Sequence, residues 1–552
     1  MSWKERSVAK RKEVAEKIPP AWRVDPDILI ELHSTADHAT DLIALNAVRK
    51  VSILSSRELD ITENYTAVEL VGRLARGELS AVDVTVAFSK RAAVAQQLTS
   101  CLTEVFFDRA LQRAHYLDDF LRREKRPVGP LHGLPISIKD SYDIQGIQST
   151  LGYVSFLDHP PATRNAAVVE LLLKLGAVLY VKTNIPQAMM VADSDNNIFG
   201  RTLNPHRTNY TAGGSSGGEG ALIALRGALI GVGTDIAGSV RIPALCCGVY
   251  GFKPSTGRIP YRGVVSHNLP GHPGIQGCAG PITTCLEDAE LFITAVIGAE
   301  PWLVDATAHA VPWRSLQIFP KALRIGVLAE DPSWPLHARV KSALAQAVRQ
   351  LAAAGHTLVP LSHDDAYGPG TGQRIALDFF SIDPLDTSLQ YIAASGEPAI
   401  RSLRVLGLDT PKTAVQREAC TIGRLAKLNV ERSHYNDVWN DLVTDLELDV
   451  IIAPGAQNTA VPHDDFGLFP YTVMWNVLDY PAGVIPFSRI ATVDLEQSES
   501  RSPACDSGEL PHYSAFLLPW LPCALQVIAP RLQDERWLAA AKAIDAVLNR
   551  MR

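Results

Sequence analysis

Three serines stand in one glycine-rich stretch, GGSSGGEGALIALRGALIGVGTDIAGSVRIP, residues 213–243: Ser215, Ser216 and Ser239. A serine hydroxyl becomes a nucleophile only when a base accepts its proton. The attack then creates negative charge that a row of backbone amides can hold. The turn IAGS offers such a row, because the successive amides of Ile236, Ala237, Gly238 and Ser239 could point one way as an oxyanion hole.

Other uses of a glycine-rich loop fit less well. A phosphate-binding loop places Lys and then Ser or Thr after its last glycine, whereas Glu219 follows Gly218 here and a carboxylate repels phosphate. A dinucleotide fingerprint needs a buried strand before the glycines, and the preceding RTNYTA is polar and reads as no such strand. Gly214 to Gly218 matches G-x-S-x-G around Ser216, but that elbow also requires a strand directly before it. A flexible linker is excluded by the apolar segments on both sides.

The surrounding elements must therefore deliver the serines. EGALIALRGA reads as a short helix with Ser215 and Ser216 at its N-terminal end, where free amides and the helix dipole favour negative charge. LIGVGTD reads as a strand running into the turn that carries Ser239, with Pro243 restricting the backbone just beyond that turn. LPISIKD, GAVLYVKTN, ALRIGVLAE, LELDVIIAPG and DYPAGVIPF read as further strands, alternating with helices such as AAVVELLLKL and HARVKSALAQAVRQLAAAG. Strands alternating with helices imply an α/β core. LPISIKD alternates apolar and polar residues, and LSAVDVTVAFSKRAAVAQQL reads as one amphipathic helix. Capping pairs Thr66/Glu69 and Ser80/Asp83 start two helices in the first hundred residues. Residues 1–60 form a helical arm, a clamp or dimer contact, and 61–552 one large domain with an insertion near 360–440. The stretch 487–515 reads as a polar surface loop.

Bulk properties narrow the classes. The chain has 552 residues, 47% of them hydrophobic and 20% charged, with a net charge of -7. That gives no broad basic surface for nucleic acid. No apolar run reaches the roughly 18 residues of a membrane span, and the basic N-terminus lacks the apolar core of a secretory signal, so a cytoplasmic location is expected. The 8 cysteines show no metal-binding spacing, and no metal site is expected; Cys246 and Cys247 read as packing residues.

The residues carry a resemblance. Gly213 to Pro243, followed by GVYGFKPSTGRIP, resembles the signature of the amidase signature family; GPLHGLPISIKD resembles its lysine strand and VKTNIPQAMM its acyl-pocket segment. The N-terminal region is similar to the acetamidase-type branch. The resemblance implies an α/β fold with a twisted mixed sheet between layers of helices, and no cofactor. It implies a Ser-Ser-Lys triad: Ser239 the nucleophile, Ser215 the bridge, Lys139 the base, with a cis peptide between Gly214 and Ser215. Ser216 and Asp235 would brace the triad, Thr234 and Arg241 hold the loop, and Met189 line the acyl site. The family usually has glycine where Ala237 stands, so an added methyl could narrow the pocket or, if positive φ is needed there, strain the hole.

Lysine ordinarily titrates near 10.4, so a base working at pH 7 to 8 asks for a depression worth about 3 to 4 kcal/mol; burial at the end of PISIK could supply it. Asp140 reads as a surface or strand-end charge, and Met190, Tyr471 and Trp475 as core. The expected function is hydrolysis of a small-molecule carboxylic amide. An esterase or acyltransferase on the same scaffold is the alternative, and a binding protein without catalysis is disfavoured by the intact Lys139, Ser215 and Ser239. A homodimer is possible.

Overall fold

A computed structural model describes residues 1–33, 39–266, 268–269, 271–272, 274–316, 320–487 and 521–549. Most of the loop expected at 487–515 therefore lies outside the described residues, as does Cys505.

Thirteen strands occur among the described residues. They are β1 (Leu102–Val105), β2 (Pro135–Lys139), β3 (Val178–Thr183), β4 (Leu203–Asn204), β5 (Arg207–Thr211), β6 (Ile230–Asp235), β7 (Tyr250–Lys253), β8 (Cys278–Thr283), β9 (Arg324–Leu328), β10 (Thr357–Leu361), β11 (Val450–Pro454), β12 (Ala482–Pro486) and β13 (Ala524–Ile528). Eleven form one sheet in the order β1-β3-β2-β6-β8-β7-β12-β13-β11-β9-β10, and β4 pairs with β5 apart from it. Pairing is parallel in β3-β2-β6 and in β11-β9-β10. It is antiparallel through the centre from β6 to β11. The sheet is mixed, as the resemblance implies.

Two local readings change. RTNYT is a strand after all, β5, but it pairs with β4 and bridges from Tyr210 to Pro462 outside the main sheet, and so supplies no main-sheet elbow before the serines. The helix Ala81–Thr99 is buried on nearly every side, not amphipathic, because it packs against the helices Phe107–Glu124 and Ser56–Glu63 as well as the Gly217–Ala224 helix. A helix covered all round needs no polar face. Thr66 and Ser80 accept from the amides of Glu69 and Asp83 as their spacing predicts. The helix Ala338–Ala353 ends before Gly355, whose φ of 93° suits a C-terminal cap.

The first helix, Trp3–Glu16, lies against the body of its own chain. Arg6 and Arg11 donate to the carbonyls of Val154 and Ile198, and Lys10 pairs with the buried Glu104. Helices also occupy much of 369–445.

Between the sheet and the serines the packing is close. The helix Gly217–Ala224 sits over β2, β3 and β6, and Gly218 faces the backbone of Asn184 and Cys101. A Cβ at Gly218 would lie 2.3 Å from the Asn184 nitrogen and 2.5 Å from the Cys101 oxygen. Backbone on both sides has little room to give. Gly218→Ala is expected to destabilise the fold by about 1 to 3 kcal/mol, seen as a lower melting temperature beside the unchanged chain.

Candidate active site

The site forms where β2 and β6 end. Both strands are buried along their whole length, since neighbouring strands close both edges and helices cover the faces. The alternation in PISIK thus does not separate core from solvent. It separates an apolar face, Ile136 and Ile138, from a buried polar one, Ser137 and Lys139. Ser137 donates to Glu219 Oε2 at 2.5 Å, and Thr183 donates to Glu219 Oε1 at 3.0 Å. Lys139 Nζ donates to Ser215 Oγ at 2.6 Å and to Thr234 Oγ1 at 2.7 Å.

No carboxylate pairs with Lys139 among the described residues. Its burial, partly opposed by the charges of Asp235, Glu219 and Asp140, brings its titration down to about 7. Burial likewise pushes Glu219 up to about 8, against the hydrogen bonds from Ser137 and Thr183. Near neutral pH a lysine that is neutral in about half of the molecules and a mostly protonated carboxylic acid therefore share this interior. Glu219 has a place in the site that its reading as a mere obstacle to phosphate missed; the period-2 pairing of Ser137 with Lys139 was the available signal.

Ser215 follows a cis peptide from Gly214. Ser216 ends the approach to the helix, its amide donating to the Ser239 carbonyl at 3.2 Å. Ser216 Oγ reaches the Thr234 carbonyl only at 3.5 Å. Ser215 and Ser239 line one cavity of about 230 Å³ together with Met189, Thr234 and Ile236, and Tyr261, Leu269, Ile275 and Gln276 wall its other side. Val264, Val265 and His272 join this wall. Thr234, expected to hold the loop, instead touches the lysine directly.

Asp235 and Arg241 hold the turn that carries Ser239. Both are fully buried, with Arg241 Nη2 3.0 Å from Asp235 Oδ1 and Nε 3.0 Å from Oδ2. Asp235 also accepts from the amides of Gly238 (2.8 Å) and Val240 (3.1 Å) and from Asn476 Nδ2 (3.0 Å). Burial alone would push this carboxyl up, but Arg241 beside it outweighs burial and holds it well below the usual range. The remaining guanidinium donors reach the Thr472 carbonyl, Gln526 Oε1 and Asn476 Oδ1. Asn476, Thr472 and Gln526 come from distant parts of the chain, and no local spacing could have pointed to them.

The row of four amides is divided. Gly238 N–H is turned onto Asp235 Oδ1. Among the described residues the amides of Ile236, Ala237 and Ser239 have no acceptor in the protein. The left-handed position is Gly238, at φ 131°, where a Cβ would meet Thr472 Oγ1 at 2.5 Å. Ala237 is not among the residues of positive φ, so its methyl brings no backbone strain. Its carbonyl accepts from Thr472 Oγ1 at 2.7 Å.

The other expected residues divide between buried anchors and core. Asp140 is buried, not a surface charge: it accepts from Thr103 Oγ1 and from the amides of Thr150 and Leu151, pinning the chain beyond β2. Tyr471 and Trp475 are core residues with no exposure, the tyrosine hydroxyl bridging Trp334 and Asp331. Met190 is half-buried against a small apolar cluster. Cys246 and Cys247 are buried free thiols.

The Amidase family profile matches residues 83–538, and the chain belongs to the amidase signature family of amide hydrolases. It is 38% identical to an amidase from Gibberella moniliformis, over 100% of this chain and 99% of that one. It is also 38% identical to an acetamidase from Emericella nidulans, over 99% and 98%. In structure it resembles a fatty acid amide hydrolase, with a TM-score of 0.85 and 29% identity over 99% of this chain and 95% of that one. No helix among the described residues is long and apolar enough to cross a membrane.

Removing the carboxylate at Asp235 leaves the Arg241 charge buried and unpaired. Asp235→Asn is expected to cost about 3 to 5 kcal/mol of stability, measured by thermal melting, with a loss of amide hydrolysis in the protein that remains folded.

Proposed function

We propose that this chain hydrolyses a carboxylic amide through an acyl-enzyme on Ser239, with Ser215 as proton bridge and Lys139 as base. The observation that carries the reading is the pair of short contacts from a buried lysine, titrating near 7, to the hydroxyls of Ser215 and Thr234. A lysine in this state is neutral in a large fraction of molecules at neutral pH and can take a proton.

In the first step Lys139 draws the proton of Ser215 while Ser215 draws that of Ser239. The Ser239 oxygen attacks the amide carbon. The oxyanion is held by the amides of Ile236, Ala237 and Ser239, while Gly238 supplies the backbone twist that aims them. The proton then returns along the same path to the leaving nitrogen, the C–N bond breaks, and ammonia or an amine departs. Water, deprotonated through the same hydroxyls, hydrolyses the ester and releases the acid. Asp235 and Arg241 act as positioning residues for the turn, and Met189 bounds the acyl side.

The similarity to acetamidases, and a catalytic cavity of only about 230 Å³, support a short acyl group. Intact-mass spectrometry after a fluorophosphonate should show one adduct on the protein and none on Ser239→Ala. An equal adduct on the variant would remove Ser239 from the role. Hydroxylamine traps the acyl-enzyme as hydroxamate in either case, and the share of acid formed in water with an ordinary amine or alcohol acceptor present separates hydrolysis from acyl transfer.

The pH profile carries its own sign. A base must be unprotonated, so kcat/KM should rise with pH through about 7 and level off above it. Lys139→Met should lower kcat by about 10²- to 10⁴-fold and abolish that rising limb.

A further inference from the structure

A second cavity, about 640 Å³ in volume, adjoins the first. Tyr261, Gln276 and Gly277 line both, so they mark where the two meet. A small amide seated at Ser239 fills the first cavity and has no use for the second, whose volume lies in the range of small-molecule sites.

Its lining is rich in cations. Arg262, Arg432 and Arg531 face it, with Asp479 as the one carboxylate, on a chain whose net charge is -7. Asp479 is already committed: Arg531 Nε lies 2.8 Å from its Oδ2, and the Thr256 amide donates to its Oδ1 at 2.8 Å. Arg262 reaches outward toward Glu170 at 3.5 Å.

Arg432 differs from both. No carboxylate pairs with it among the described residues; its Nη2 donates to Asn429 Oδ1 at 2.8 Å, and its guanidinium lies 5.0 Å from the Phe379 ring centre. One helical turn on, Asn436 also faces the cavity, and its unpartnered side-chain oxygen is an acceptor that takes a donor N–H or O–H of the bound molecule, not its carboxylate. A half-buried guanidinium stays charged and offers a planar fork of donors that matches a carboxylate.

We propose that this second cavity is a substrate subsite for a carboxylate, carried on the far end of the amide whose carbonyl sits at Ser239, with Arg432 and Arg531 as its anchors. The assignment rests on the Ser239 reading and narrows its substrate class to amides bearing a remote acid group. Arg432 supplies a guanidinium with no carboxylate at pairing distance, though Asp479 acts on it through space. Arg531 is held in place by Asp479 and adds a second donor set.

The test compares two amides of equal length, one ending in a carboxylate and one in a neutral primary alcohol. Their kcat/KM ratio is measured for the protein, for Arg432→Gln, for Arg531→Gln and for the charge-keeping Arg432→Lys. The unchanged protein should prefer the carboxylate by about tenfold or more. That ratio should fall by about tenfold in Arg432→Gln and less in Arg432→Lys, and it should shrink with added salt.

A ratio of one or below with the neutral amide still hydrolysed, or a ratio untouched by both glutamine variants, overturns the proposal and leaves the Ser239 reading standing. If neither amide is hydrolysed and no acyl mass forms on Ser239, the Ser239 reading fails instead. Calorimetry of the carboxylate amide on Ser239→Ala, with and without Arg432→Gln, then decides the subsite: binding weakened about tenfold by the arginine change supports it, and equal binding overturns it. A free dicarboxylate that binds and inhibits only noncompetitively also overturns it, because the anion would then not be part of the substrate.

Discussion

The site depends on keeping Lys139 out of water and away from carboxylates. Either one alone would return its titration toward the ordinary value: water by solvating the ammonium, a carboxylate by pairing with it, which commonly shifts such a group by about 1 to 3. The interior nevertheless holds three acids in its electrostatic neighbourhood, Asp235, Glu219 and Asp140. Each is committed elsewhere. Asp235 belongs to Arg241, Asp140 to two hydroxyls, two amides and Lys182, and Glu219 to the hydroxyls of Ser137 and Thr183. The lysine is left with hydroxyls alone as close partners.

The turn around Ser239 divides its tasks by residue. Gly238 takes the dihedral that other residues avoid and gives its amide to Asp235. Its neighbours keep theirs free. The alanine in this turn is tolerated because the demand for positive φ falls one residue later, and Thr472 binds the alanine carbonyl from the adjoining helix.

Much of this was legible in the residues. The long signature from Gly213 to Pro243 pointed to the family, and the strands β2, β3, β6, β9, β11 and β12 were evident from short apolar or alternating runs. What local pattern could not reveal was coverage. The alternation of Ser137 and Lys139 with isoleucines in PISIK does not show what covers the polar face, and a helix crosses it. Asp140 looks like a surface charge because its partners, Thr103 and Thr150, come from other segments. RTNYT looks like a loop because its residues are polar and its partner is a two-residue strand. In each case the deciding contact is long-range, and a carboxylate or lysine gives no sequence sign of being buried until its partners are known.

The network around Arg241 ties the chemistry to the last part of the chain. Gln526, on β13, accepts from Arg241 and donates to the carbonyls of Pro454 and Tyr471. A chain still emerging from synthesis, with Lys139, Ser215 and Ser239 already made but residue 526 not yet added, lacks one of the supports of the Ser239 turn. On the roles proposed for these residues, a nascent chain would carry Lys139, Ser215 and Ser239 before the full frame of the Ser239 turn exists.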